Sequence, residues 1–460
     1  MNDIEATIFK LSGAAFGPLT IALILGTGLY LTVGLRFQSI LRIPEALRLL
    51  LHPRSRGAAR GGGEISPFGA LMTALSATVG VGNIAGVATA IAMGGPGAVF
   101  WMWMTALVGM ATKYSETFLA VEYRQVTPNG NYLGGPMYYI KYGLGGRWTW
   151  LGTAFAIFAS VAALGVGNSV QSNTIADALA AEFGVPLWVS AVLIGILTFA
   201  VVIGGLKRIA AVSEKLVPAM IVFYIAAALI ILVMNAAAIP GALAMIFTDA
   251  FTGTAAVGGF TGAAVAQAIQ FGVARGIFSN EAGLGSAAIA HATARNDDSV
   301  RQGAIGMLGT CIDTLFVNTM TALVIITSGV WMAGDTGAPL TAAAFDAGLP
   351  GAGSFIVTIG IVLFAFTTIL GWGLYGERCA AYLFGERVLV PYRYLWCLIA
   401  PFGALAKVEI AWALADIMNA LMAAPNLIAL LVLSPVIFKA ARARLGQGQP
   451  LLKDDPPTAP

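Results

Sequence analysis

The sequence is poor in charge. Asp, Glu, Lys and Arg make up 10% of its 460 residues, where a soluble globular chain carries roughly 25%. So few charges cannot cover a water-facing surface of this size, and most of the surface must face lipid. Cysteine is scarce too: Cys311, Cys379 and Cys397 lie far apart, without metal or redox spacing, and read as small apolar packing residues. The two histidines, His52 and His291, have no Cys or carboxylate at zinc spacing. No serine has a paired His and Asp, and the glycine-rich stretches lack the Lys-Ser/Thr of a phosphate loop. These absences argue against an intramembrane enzyme and against ATP as the energy source. No nucleic-acid partner is expected, and no loop is large enough for the soluble domain of a sensor.

Apolar residues are abundant instead, at 58%. A spanning helix takes ~20 of them. Asp3 and Glu5 precede Lys10, unlike the basic start of a cleavable signal, so the run Gly13–Leu35 reads as a retained first span. Apolar runs predict an all-α membrane protein of about eleven spans, near 14–35, 66–92, 96–120, 150–180, 186–204, 216–236, 262–290, 301–332, 353–375, 390–406 and 416–438. Basic residues then give the direction. Arg36, Arg42, Arg48, Arg54, Arg56 and Arg60 follow the first span. Lys113, Arg124, Lys141, Arg147, Lys207, Arg208, Lys215, Arg295, Arg301, Arg378, Arg387 and Arg393 fall on the same side, with Lys439, Arg442, Arg444 and Lys453 at the end. The other side has Lys10 and Lys407, and its loops 237–261 and 333–352 carry Asp249, Asp335 and Asp346 but no Lys or Arg. This puts the N-terminus outside and the C-terminus in the cytoplasm. The tail 439–460 is polar and Pro-rich beyond Arg444, a composition that favours disorder.

Two spans are ill-suited to continuous helix. The second contains SATVGVGNIAG from Ser76, and the seventh contains GIFSNEAGLGS from Gly276. Each glycine costs about 1 kcal/mol against alanine in a helix interior, and here glycines stand beside Asn83, Asn280 and Glu281. Small-residue packing would account for Gly82 with Gly86. It would not account for amides and a carboxylate at bilayer depth. An interrupted helix would, because unwound backbone is tolerated there only where it lines a cavity or binds a ligand. With 1–65 set aside as an extra span and basic loop, the rest divides into 66–236 and 262–438, five spans each, joined by the loop 237–261. Each set opens with its broken helix. An odd number of spans inverts one set against the other, the inverted-repeat plan of secondary transporters with a midplane site. A passive channel is disfavoured by the same two breaks.

The stretches GVGNIAGVATAIAMGGPGAVFWMW from Gly80, GGPMYYI from Gly134 and GIFSNEAGLGSAAIAHA from Gly276 resemble the alanine or glycine:cation symporter family over nearly the whole chain. More distantly, the first resembles the break of the sodium-coupled leucine transporter. The resemblance implies a leucine-transporter-like 5+5 inverted repeat in a bacterial inner membrane. It also implies import of alanine or glycine, D or L, with inward sodium and with protons as an alternative. Oligomeric state is left open, a monomer being the simplest expectation.

Within that frame, Gly80, Gly82 and Asn83 are expected to meet the substrate carboxylate through free amides. By analogy with the leucine transporter, the Asn83 oxygen adds a cation contact, and the carbonyls of Ser76 and Val79 correspond to sodium-site contributors. Thr367 and Thr368, adjacent hydroxyls in an apolar run, suit sodium, a hard cation. The carbonyl of Phe364 is a further candidate ligand. The alternative, hydroxyls bonded to their own helix, is the ordinary behaviour of a lone Thr. Trp372 shares a face with Thr368 and would wall the pocket, or else anchor at the interface. Asn168, Gln171 and Asn173 are too polar to face lipid, and Gln171 is the expected substrate contact, a structural interhelical bond being the alternative. Phe278, Ser279 and Asn280 would face the amino group and small side chain. Glu281 has three open roles, binding the ammonium, taking a proton or latching onto Arg275 across the break, of which the latch is favoured. Asp313 is noted as a buried carboxylate outside this set.

Overall fold

The structure, a computed structural model, describes residues 3–15, 17–52, 61–252, 261–406, 409–445 and 451. Among these, helix is almost the only element. A two-stranded hairpin pairs Gln125–Val126 with Tyr132–Leu133. Seven helices are long and apolar enough to cross a membrane: Lys10–Gly34, Gly146–Phe183, Gly205–Met234, Ser299–Ser328, Gly353–Phe384, Glu386–Leu405 and Trp412–Arg444. The four other expected spans fall on the helices Gly97–Glu122 and Leu187–Val202 and on the two broken helices. The basic residues Arg54, Arg56, Arg60, Lys407 and Lys453 lie outside the described residues.

Polarity runs inside out. Leu19, Val222, Val233 and Phe402 are 75%, 66%, 73% and 70% exposed, an apolar surface for which lipid is the matching solvent. Ser76, Asn83, Glu116, Asn280 and Asp313 are wholly buried. Burying such groups in hydrocarbon is tolerable only with partners, so the polar interior marks where helices must meet precisely defined neighbours.

Both expected breaks are present, each shorter than its glycine pattern suggests. The first helix runs Pro67–Thr78, starting at a Ser66 cap whose hydroxyl accepts from the Gly69 amide at 2.8 Å. Val79 and Gly80 are extended, Val81–Asn83 form one 3-10 turn, and helix resumes at Ala85–Gly94. The second helix runs Thr261–Asn280 and resumes at Ser286–His291. Between them Glu281, Gly283 and Gly285 have φ of 54°, 93° and 78°. Glycine adopts such angles freely, whereas Glu281 is strained there.

Several expectations change. Lys113 does not lie with the basic loops. It is 2% exposed, inside Gly97–Glu122 and nine residues from its end, or about 13 Å at 1.5 Å per residue. The loops 237–261 and 333–352 contain helices, Ile239–Thr252 and Gly337–Gly348, while 253–260 lie outside the described residues. The last helix continues to Leu445, so 439–445 is helical and not disordered tail. Leu451 is buried, its carbonyl accepting from Arg301 Nε at 2.6 Å. The rest of the tail, 446–450 and 452–460, lies outside the described residues.

Candidate functional site

The first break frees specific backbone groups. Val79 donates the last helical bond, to Leu75 at 2.8 Å. The next amide, Gly80, goes instead to Asn83 Oδ1 at 2.8 Å, which leaves the Ser76 carbonyl without its helical partner. Asn83 donates to Gly80 and not to Val79, so the Val79 carbonyl is freed as well. Among the described residues the amides of Val81 and Gly82 have no acceptor. Of the three amides expected to be open for a carboxylate, Gly82 therefore is open, while that of Gly80 is capped by Asn83 and that of Asn83 returns to Gly80.

The second break frees carbonyls. Ala282 donates to Asn280 Oδ1 at 2.9 Å, and Gly283 donates to Glu116 Oε1 at 3.0 Å. These amides would have closed onto Phe278 and Ser279 in a continuous helix, and both carbonyls lose that bond. Glu116 also accepts from the Gly285 amide at 3.0 Å and from Asn426 Nδ2 at 2.7 Å. A buried carboxylate on the third span thus holds the loop open, a role no glycine pattern signals. The signal that was available is a Glu six residues inside a membrane helix, where an ionisable group is functional by default. Glu281 does not pair with Arg275. It accepts from the Ser286 hydroxyl and lies near the Trp372 indole, while the Arg275 guanidinium lies over the Phe278 ring at 5.9 Å.

The two breaks meet. A Cβ on Gly82 would lie 3.2 Å from Phe278 Cδ1 and 3.4 Å from Ser279 Cα. Asp313 ties them together. Its Oδ1 accepts from Asn83 Nδ2 at 2.6 Å, and its Oδ2 accepts from the hydroxyls of Ser279 and Thr314, both at 2.8 Å. Asn318 joins them, accepting from Asn83 Nδ2 at 2.8 Å and donating to Ser279 Oγ at 3.1 Å. Asn280 Nδ2 reaches Thr314 Oγ1 at 3.0 Å. Asp313, Thr314 and Asn318 lie in a π-helical stretch, Cys311–Asn318. The wider turn changes which residues share a face, and such turns recur at functional sites. Asp313 was legible as a buried carboxylate, but this register was not.

The ninth span, Gly353–Phe384, packs on the first break. A Cβ on Gly80 would lie 2.5 Å from Thr368 Oγ1, and one on Gly371 would lie 2.7 Å from the Ala77 nitrogen and 2.8 Å from Ser76 Oγ. Ser76, Val79 and Thr368 are thus brought into one neighbourhood. Both threonine hydroxyls donate to the Phe364 carbonyl at 2.9 Å, the self-bonding alternative. Each hydroxyl oxygen still offers lone pairs, whereas the Phe364 carbonyl is already shared by two donors. Thr367 also lies against the Met220 sulfur at 3.5 Å. Trp372 is 1% exposed, which rules out its interfacial alternative. A Cβ on Gly167 would collide with it. Gln171, one turn from Gly167 on the fourth span, donates to the Val166 carbonyl at 3.0 Å and keeps a buried Oε1 without a partner. Asn168 binds the Trp396 carbonyl at 2.9 Å, an interhelical tie.

The two interrupted helices thus meet with open amides on the first break and freed carbonyls on the second, an arrangement that recurs in secondary transporters. A family profile described as the sodium:alanine symporter family matches residues 1–449. The chain belongs to that family. Among relatives of this sodium:alanine symporter-family protein, the sodium/alanine symporter AgcS of Methanococcus maripaludis is 48% identical over 447 residues, 96% of this chain and 97% of its own. The probable sodium/glutamine symporter GlnT of Bacillus subtilis is 40% identical over 430 residues, 93% of this chain and 88% of its own. The crystal structure of MhsT in complex with L-phenylalanine matches with a TM-score of 0.57 at 13% identity, covering 83% of this chain and 99% of that one. That likeness shows the leucine-transporter-like fold. The protein is a multi-pass membrane transporter and not an enzyme, and its family is one of sodium-coupled amino-acid symporters.

Proposed function

We propose that this symporter imports alanine or glycine together with sodium across a bacterial inner membrane, with its N-terminus outside and its C-terminus in the cytoplasm. The observation that carries the reading is the contact between the two breaks at Gly82 and Phe278. On one side of it stand the unbonded amides of Val81 and Gly82, on the other the freed carbonyls of Phe278 and Ser279. Amides at the start of a half-helix suit a carboxylate and freed carbonyls suit an ammonium. A zwitterion with a small side chain satisfies both at once. The unpartnered Gln171 oxygen and the ring of Trp372 complete the substrate's surroundings.

The carbonyls of Ser76 and Val79, with the Thr368 hydroxyl and Thr367 beside it, form the proposed sodium site. Neutral oxygens around a hard cation are the expected chemistry. The repeats 66–236 and 262–438 then rock against each other in alternating access. AgcS supports alanine as cargo by its name. The sodium/proton-dependent alanine carrier YrbD of Bacillus subtilis, a putative assignment at 37% identity, keeps a proton arm in the test.

The test is uptake into proteoliposomes of purified protein. An inward sodium gradient is expected to drive accumulation of labelled alanine, with competition by glycine and little by glutamine or phenylalanine. Accumulation that follows a proton gradient and ignores sodium would overturn the ion assignment. Stronger competition by glutamine than by alanine would overturn the small-substrate assignment.

A further inference from the structure

Lys113 has no part in the site just described, yet it is placed to act on it. It is 2% exposed, and its Nζ has neither a hydrogen bond nor an ion pair among the described residues. An intramembrane ammonium without a partner is costly and is retained for function. Three residues on one stripe of the helix Gly97–Glu122, spaced by four and three, face the second break. A Cβ on Gly109 would lie 2.9 Å from Ala282 Cβ. Glu116 holds the amides of Gly283 and Gly285, each at 3.0 Å. Lys113 lies between these two contacts and so faces the loop from Glu281 to Gly285. The ionisable groups near it come from three elements: Glu116 on its own helix, Glu281 and His291 on the broken helix, and Asp313 on the eighth span. The Tyr375 phenol on the ninth span lies near Glu281 and Glu116.

Glu281 is the one of these that sits in the loop of the second break, between Asn280 and Ser286. It is held by the Ser286 hydroxyl, and its backbone is in the left-handed region. In the symport reading the loaded carrier holds the amino acid's ammonium at the carbonyls of Phe278 and Ser279, next to Glu281 in the same break. Glu116 and Asp313 keep their protein donors on release, but Glu281, which accepts from the Ser286 hydroxyl, is left without a cation, a state far costlier than a pair. A lysine on a flexible four-carbon stem can follow such a change.

We propose that Lys113 is a tethered counter-cation: once sodium and substrate have left, its ammonium pairs with Glu281, and that pair lets the empty carrier return. The inference rests on the symport reading above. It concerns only the half of the cycle in which the carrier travels empty.

That restriction defines the test. Exchange of internal for external alanine never requires the empty carrier to cross, whereas net uptake does. In sodium-loaded proteoliposomes, Lys113→Met is expected to slow net uptake about tenfold or more, within the usual range of such couplings, while alanine exchange changes by less than about twofold. Glu281→Gln in the Lys113→Met background removes the charge that needed compensation and is expected to recover net uptake. Equal loss of uptake and exchange in Lys113→Met, with an unchanged unfolding temperature, would overturn the proposal. So would a double variant no better than the single one. If Lys113→Met does not fold, Lys113→Gln is read the same way. Wild-type protein with no sodium-driven uptake would instead sink the symport reading itself.

Discussion

A carboxylate at bilayer depth is tolerable only when its charge is met by donors. Asp313 meets that condition through Asn83, Ser279 and Thr314, and in doing so it pins one broken helix to the other. Asp313→Asn keeps the shape but turns one oxygen into a donor facing groups already committed as donors. Hydrogen bonds to a charged group contribute about 1.5–3 kcal/mol, so alanine uptake is expected to fall by roughly 10- to 100-fold. The protein should remain folded, because the helices that meet there are packed in an extensive core of buried apolar residues. Uptake within twofold of wild type would remove Asp313 from the site. The glycine pattern singled out Gly82, Phe278 and Ser279 and did not single out Asp313 or Glu116. Glycine marks where a chain can bend, but nothing local marks which distant carboxylate holds the bend.

At the level of elements, both ends of the broken helices are closed. At the end carrying the basic loops, the residues before the first broken helix bond to those after the second: Glu64 donates to the Thr293 carbonyl at 2.8 Å, and Arg295 to the Ile65 carbonyl at 2.7 Å. Arg124 covers this junction. Its guanidinium donates to the carbonyls of Ala292, Ala294, Gly62 and Asn296 and to Asp297. Arg378 adds an ion pair to Glu64 at 3.6 Å. At the other end the helix Gly337–Gly348 lies over the first break, Thr341 donating to the Ile84 carbonyl at 3.0 Å, with Phe345 stacked on Tyr224 at 5.3 Å. In the proposed transport cycle, release of solute on the basic side would pass through the Arg124 junction. In Arg124→Ala the amides of Glu64 and Arg295 are expected to exchange hydrogen about tenfold faster or more, the equivalent of one lost charge-assisted bond. Unchanged protection there would mean that the junction does not depend on Arg124. Neither closing element was legible in sequence. The helix Gly337–Gly348 lies in what reads as a loop, and Arg124 reads as one basic residue among many.

The whole molecule has an apolar belt, a polar interior and an uneven distribution of charge between its two ends. Excess Lys and Arg marks the side that stays in the cytoplasm during insertion. Arg147 and Asp335, both exposed, sit at opposite ends in this scheme. Cysteines replacing them are expected to divide cleanly in intact cells. Asp335→Cys should react with a membrane-impermeant maleimide added outside, and Arg147→Cys only after permeabilisation. The three native cysteines are buried and leave the readout clear. The reverse pattern would invert the proposed orientation and with it the direction of import.

Hydropathy, basic-residue placement and glycine clustering are properties of contiguous sequence. They sufficed for an all-α membrane carrier, for the positions of its long apolar helices and for the two breaks. Each of these depends on what a stretch of about 20 residues can do in lipid. What tertiary structure alone decided is which groups the breaks leave open and which partners they take. Asp313 meets Asn83 across 230 residues of sequence, and Glu116 meets Gly283 across 167. Lys113, countable by sequence only as one more basic residue, proves to be buried beside the second break. Pairings of this kind depend on helix register and on a π turn that shifts it, and neither is written in the local pattern of apolar and polar residues.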